Sequence, residues 1–233
     1  MRQESKKCRE DQQNRPIRSF GRIKSRKLSD HKKNLLENFL PKYEIDSDFI
    51  ACAKNFAKKS FEIGFGFGDF LLEKAKKNPQ QIFFGCEPHL NGVVALLGHL
   101  EKNSLSNIKI STIDVRLLLE KFPADFFDEF YILFPDPWPK IKHFKRRLIN
   151  VDFLDNFLAN KMKKGAKLTI ATDHDSYKTW ILAEILKSKK FMWKCALKQD
   201  WQVFPNDWVE TKYQKKAAKE GRISVIFELI YIK

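Results

Sequence analysis

Cysteine is scarce in this chain of 233 residues: four are present, at 8, 52, 86 and 195, with no CxxC pair and no histidine cluster beside them. That scatter excludes the common zinc-ligand patterns and points to a reducing compartment rather than a disulfide framework. Long apolar runs are missing as well. The unbroken apolar stretches fall far short of the ~20 residues a membrane-spanning helix needs, which excludes such a helix. No charged-then-apolar secretory segment opens the chain, and no internal repeat is visible. Acidic residues are few against basic ones, 29 against 44, for a net charge of +15.

What is present is a core-forming composition, 43% apolar with 21 phenylalanines, of a length that supports one sizeable domain. The basic excess concerns partners rather than fold. It fits either a polyanion ligand or a solvated lysine-rich surface. Its distribution favours the first: residues 1–33 carry twelve Lys/Arg against four acids, and residues 138–147 carry five against none. Residues 1–30 lack apolar periodicity and read as a flexible basic arm, which leaves residues 31–233 as a single domain. Residues 31–57 are expected to be helical or irregular, with a break at Pro41.

From residue 60 the pattern alternates. The runs "SFEIGF" (60–65), "QIFFGCE" (81–87), "NIKIST" (107–112), "DEFYILF" (128–134) and "AKLTIAT" (166–172) are short and rich in Ile and Phe. Segments with helical spacing separate them at 68–77, 89–103, 150–163 and 175–189. Continuous apolar strands between amphipathic helices predict an α/β fold, a parallel sheet covered on both faces. The last two runs, 191–198 and 223–233, have no long helix between them and predict an antiparallel hairpin, for roughly seven strands in all. In such sheets ligands bind outside the carboxyl ends of the strands, and every motif below falls at one of those ends.

"FEIGFGFGDFL" places Gly64, Gly66 and Gly68 after the first strand, where positive φ and close backbone approach are available. The third glycine of a dinucleotide fingerprint would fall at 69, which is Asp69, a poor host for a pyrophosphate. The same turn suits S-adenosylmethionine, which has no phosphate and carries a positive amine, and Glu62 just before it adds to that reading. A ligand-free tight turn is the alternative. Glu87 follows the second strand, where a carboxylate can accept both hydroxyls of a ribose. Asp114 follows the third, where it can take an adenine amine or simply cap a helix.

The fourth strand ends in "FPDPWPKIKHFKRR". Pro135 and Pro137 restrict the backbone around Asp136. Trp138 offers a surface to a nucleobase or to the core. Lys140, Lys142, Lys145, Arg146 and Arg147 form a candidate grip for a phosphate backbone. His143 has no orienting carboxylate nearby in sequence and reads as a neutral surface histidine.

Taken in order, "FEIGFGFGDFL", "GCEP", "FPDPWPKIKHFKRR", "ATDHDSY" and "TKYQ" resemble the tRNA (guanine-N7-)-methyltransferases of the bacterial single-subunit type, from about residue 58 onward. The resemblance implies a Rossmann-like methyltransferase fold and methyl transfer from S-adenosylmethionine to a guanosine N7 in the variable loop of tRNA. The cysteine pattern speaks against a metal site and for a cytoplasmic location, and with no heptad or long unpaired edge the chain reads as a monomer with no obligate protein partner. Glu62, Glu87, Asp114 and Asp136 would contact the methyl donor along the glycine turn, with Asp136 also catalytic. Lys140, Asp173, Thr211, Lys212, Tyr213 and Gln214 would contact the tRNA or its guanine. The family usually has Glu where this chain has Gln214, which removes a charge and adds donors. Three other readings stand beside this one. An amino-methyltransferase on adenine or cytosine has an Asp-Pro-Pro-Tyr turn, whereas this chain has Asp-Pro-Trp-Pro. Asp69 disfavours a nicotinamide dehydrogenase. A basic tRNA-binding protein that lost catalysis finds its only support in Gln214.

Overall fold

The computed structural model describes residues 28–197 and 199–233. All but the last three positions of the expected basic arm lie outside them. Two short helices, α1 (Asp30–Asn34) and α2 (Ser47–Cys52), precede the sheet. Pro41 stands at the start of a brief helical turn, Leu40–Lys42, where the helical path from α1 ends, as expected of a residue without an amide hydrogen.

Seven strands follow: β1 (Lys58–Ile63), β2 (Gln81–Cys86), β3 (Ile108–Ser111), β4 (Phe127–Leu133), β5 (Met162–Thr172), β6 (Phe191–Trp193) and β7 (Val225–Tyr231). They form one sheet in the order β3-β2-β1-β4-β5-β7-β6. β1 to β5 run parallel, and β7 pairs antiparallel with both β5 and β6. The expected hairpin is therefore present but inverted in position: its second strand enters the sheet beside β5, and its first lies at the edge.

Register explains why the strands are so rich in phenylalanine. Phe61 pairs with Phe84 on one side and Phe130 on the other, so three rings stand side by side at centroid distances of 6.5 and 5.5 Å. Phe127 meets Phe61 edge-on at 5.3 Å and 90°. All four are fully buried, and burial of each such side chain contributes about 1.5–3 kcal/mol. Because side chains alternate across a strand, the same register sends Ser60 and Glu62 to the opposite face.

The helices covering the sheet are α3 (Asp69–Lys77), α4 (Leu90–Asn103), α5 (Val115–Glu120) and α6 (Asp175–Lys187), with helical turns over Phe153–Lys161. Two elements escape the sequence pattern. α5 is too short to show a period. α7 (Lys212–Lys219) buries only Ala217, so it has no apolar stripe to detect. It lies between runs 191–198 and 223–233, where no long helix was expected and none is present: it has eight residues. β5 also begins earlier than its apolar run, because the pairing with β4 slips between Phe127 and Glu129 and Gly165, at φ 82°, turns the extra residues outward.

Candidate active site

β1 delivers the chain into a turn in which Gly64, Gly66 and Gly68 all have positive φ, at 73°, 55° and 79°. Side chains rarely adopt that region, so this path depends on glycine. Glu87, just past β2, fastens the turn: its Oε2 accepts from the Gly66 N–H at 2.9 Å and its Oε1 from the His89 N–H at 2.8 Å. Gly92, in the first turn of α4, is a residue that the reading along the chain missed. A Cβ there would stand 2.3 Å from the Gly66 carbonyl oxygen, so the turn reaches its place only because Gly92 has no side chain. The signal was its position in a helix, where glycine is costly without a packing reason.

Glu62 ends up 3% exposed beneath the turn, and its Oε2 has no hydrogen-bond partner. Burial, then the Glu87 and Asp69 carboxylates, push its pKa up to about 8, against the pull of the Leu71 N–H. A buried acceptor left without a donor costs about 1–3 kcal/mol. It is suited to a ligand that brings a positive donor.

Along the same edge, Asp114 caps α5 by accepting from the Arg116 N–H at 3.0 Å and from the Arg116 guanidinium at 2.9 and 2.8 Å. Burial would raise its pKa, but the Arg116 bonds win and hold it below the ordinary value. Asp173, after β5, accepts from Arg222 Nε at 2.7 Å.

The loop after β4 is the most constrained backbone of the edge. Pro135, Asp136 and Pro137 lie between Phe134 at φ 52° and Trp138 at φ 43°. Left-handed backbone costs about 1–3 kcal/mol at non-glycine residues and persists only where the surroundings over-determine it. The Phe134 N–H donates to the Ala171 carbonyl at 2.8 Å. The other fastening is Arg147, which corrects the expectation of a phosphate grip running through that residue. Arg147 is 3% exposed. Its Nε donates to the Pro137 carbonyl at 2.9 Å, and Nη1 and Nη2 donate to the Ser176 carbonyl and hydroxyl at 3.2 and 2.8 Å. The guanidinium also stacks on Phe144 at 3.7 Å. Asp136 stays exposed, and its charge acts on Glu87, Tyr177 and Tyr213.

Trp138 packs within the loop, edge-on to His143 at 5.7 Å and 4.9 Å from the Arg146 guanidinium. His143 is lowered from its ordinary value by desolvation and by the neighbouring Arg146, Lys142, Lys140 and Lys145, and so is neutral at pH 7. Lys140, Lys142 and Lys145 are exposed, as a grip requires.

The "TKYQ" segment, about 145 residues after the glycine turn, folds back onto it. Thr211 caps α7, accepting from the Gln214 N–H at 3.1 Å. Lys212 Nζ lies 3.6 Å from Asp69 and 4.7 Å from the Phe67 ring centroid. The Tyr213 ring lies alongside Gly66, where an added Cβ would meet it at 3.3 Å. Gln214 Oε1 accepts from Trp208 Nε1 at 2.7 Å, and Trp208 packs on Phe70. Glu62, Gly64, Asp69, Thr211, Lys212 and Tyr213 line an open cleft.

The sheet order, the lone antiparallel strand near its edge and a glycine turn beside one buried and one half-buried carboxylate, Glu62 and Glu87, define a class I, S-adenosylmethionine-dependent methyltransferase. The family model described as "Putative methyltransferase" matches residues 57–226. A tRNA (guanine-N(7)-)-methyltransferase of Hyphomonas neptunium is 40% identical over 86% of this chain and 93% of its own. That of Zymomonas mobilis is 37% identical over 88% and 90%. The chain belongs to the tRNA (guanine-N(7)-)-methyltransferase family. In fold it is similar to an antibiotic-related methyltransferase (TM-score 0.54, 18% identity, 90% of this chain and 98% of that one). It is similar also to the 16S rRNA methyltransferase KamB (TM-score 0.56, 15% identity, 81% and 94%).

Proposed function

We propose that this protein transfers a methyl group from S-adenosylmethionine to N7 of a guanosine in the variable loop of tRNA, acting as a cytoplasmic monomer. The observation that carries the reading is the 40% identity to a tRNA (guanine-N(7)-)-methyltransferase across nearly its whole length. The cleft fits the methyl donor on this chain's own terms: an orphaned buried carboxylate at Glu62, an open backbone at Gly64 and a carboxylate at each of the next two strand ends.

Glu62 would hold the donor's ammonium, Glu87 its ribose hydroxyls and Asp114 its adenine, with Gly64, Gly66 and Gly68 letting the backbone come close. When bound, the donor supplies an electrophilic methyl group. Guanine N7 carries a lone pair and no proton, so no side chain has to act as a base. The protein's task is to place N7 in line with the methyl carbon. As the base gains positive charge, the Asp136 carboxylate stabilises it. Lys140, Asp173, Thr211, Lys212, Tyr213 and Gln214 would hold the tRNA. Gln214 offers the base amide donors, because its oxygen is taken by Trp208. Among the described residues no group of His, Cys, Asp and Glu is arranged to hold a metal.

Incubating the protein with labelled S-adenosylmethionine and an unmodified tRNA transcript, then mapping the product, tests this directly. Label at guanine N7 in the variable loop is expected; label on an adenine or cytosine amine, or none, overturns it. Arg147 gives a second test. Arg147→Lys keeps the charge but loses the fork that joins Pro137 to Ser176. Turnover is expected to fall about tenfold, the size of one lost charge-assisted hydrogen bond. The salt dependence of tRNA binding should not change. Normal turnover with weaker tRNA binding would make Arg147 a tRNA contact after all.

A further inference from the structure

The helix the sequence pattern missed has a face that folding does not explain. Lys212, Lys215, Lys216 and Lys219 fall at i, i+3, i+4 and i+7 of α7, one stripe of a helix, and all four are exposed. The opposite side does the packing, through buried Ala217 and through Gln214 on Trp208. Like charges at these spacings oppose the helix by about 0.2–0.5 kcal/mol per pair, and a cation in the first turn opposes the helix dipole. A helix this short is marginal by itself. Acidic neighbours offset little of this: Lys212 lies 3.6 Å from Asp69 and Lys216 3.9 Å from Glu220. Lys215 and Lys219 have no ion pair among the described residues.

The stripe starts at the mouth of the cleft, because Lys212 and Tyr213 line it, and extends about 10 Å outward at 1.5 Å per residue. It belongs to a different element from the cationic loop of Lys140, Lys142 and Lys145. We infer that the Lys212–Lys219 face of α7 is a second phosphate track, which holds the backbone of the substrate RNA beside the target base while the loop after β4 holds it on the other side. This rests on the tRNA reading above and extends it to Lys215, Lys216 and Lys219. The partner is RNA rather than an acidic protein because the stripe is continuous with Lys212 and Tyr213, which the tRNA reading places beside the target base.

The test is Lys215→Glu with Lys219→Glu in the full-length protein, measured by tRNA binding across a salt series. A control with the same change in net charge, Lys164→Glu with Lys189→Glu, places its substitutions on exposed residues at the amino ends of β5 and β6, away from the carboxyl ends that carry the site. Each phosphate contact adds about 0.7–0.9 to the slope of log K against log salt. The α7 variant is expected to lower that slope by about 1.4–1.8, and to weaken binding at low salt by about tenfold or more. Turnover at saturating tRNA should stay within about twofold. Its melting temperature should not fall, since the substitutions relieve repulsion. The control should keep most of the slope. An unchanged slope in the α7 variant, or an equal loss in the control, overturns the track and leaves a solvated face or a net-charge effect. Failure of the tRNA reading would show separately, as a wild-type protein that does not methylate guanine N7. A wild-type protein that binds RNA without that activity, yet loses slope in the variant, would uphold the track alone.

Discussion

Asp136→Asn is expected to lower turnover about 10²–10³-fold, the cost of removing one preorganised electrostatic group from a reaction centre, while changing the affinity for S-adenosylmethionine by no more than about threefold. The substitution keeps the shape of the side chain and removes only its charge. The argument for so large an effect lies in the backbone around it. Two left-handed residues, Phe134 and Trp138, bracket Pro135-Asp136-Pro137, and Arg147 fastens Pro137 to the first turn of α6. Backbone held this firmly limits how far the Asp136 carboxylate has to reorganise as charge develops on the base. Single-turnover rates with donor and tRNA saturating isolate the chemical step. A variant that transfers methyl at the wild-type rate would remove Asp136 from the mechanism.

Glu62→Gln is expected to weaken S-adenosylmethionine binding about 10–100-fold, the net worth of a hydrogen bond to a charged group, and at the same time to stabilise the empty protein at mildly alkaline pH. The folded pKa of about 8 lies above the ordinary 4.5. Between those values the folded protein holds a proton that the unfolded chain has released. Stability therefore falls as pH rises through that window, by up to about 1.4 kcal/mol per unit, and the loss is complete above about pH 8. Glutamine has no proton to lose, so the variant should melt several degrees higher than wild type at pH 8 and show no such slope. Ligand binding carries the same signature. A cationic amine favours the ionised carboxyl, so near pH 7 the wild type should release close to one proton on binding. Calorimetry in buffers of different ionisation enthalpy would count it. Equal proton release by wild type and Glu62→Gln would place the titrating group elsewhere.

Much of this was legible in the sequence. Short Ile- and Phe-rich runs at regular spacing announced the parallel strands, because a strand buried on both faces has to be apolar throughout. Three glycines alternating after the first strand announced a left-handed turn, and all three have positive φ. Two prolines around Asp136 announced a constrained backbone, and Phe134 and Trp138 on either side of them have positive φ. The arrangement of the last strands was less visible. Runs 191–198 and 223–233 read as neighbours, and they are, but nothing local says that β7 inserts between β5 and β6. The eight residues of α7 escaped notice because helical periodicity is an apolar signal, and this helix buries a single alanine.

The sequence alone determined the class of fold, the order of the motifs and the chemistry available at each strand end, since periodicity, turn conformation and side-chain type are local properties. Only the tertiary structure decided how each charged residue is used. Arg146 and Arg147 are neighbours in one cationic run, yet Arg147 is the buried one, because Ser176, 29 residues further along the chain, comes within reach of its fork. Gly92 matters because the Gly66 carbonyl approaches it from another element. Glu62 became an acid near neutrality because the sheet register turned it away from water and beside Glu87. Burial and proximity depend on what distant segments bring, and a reading along the chain does not contain them.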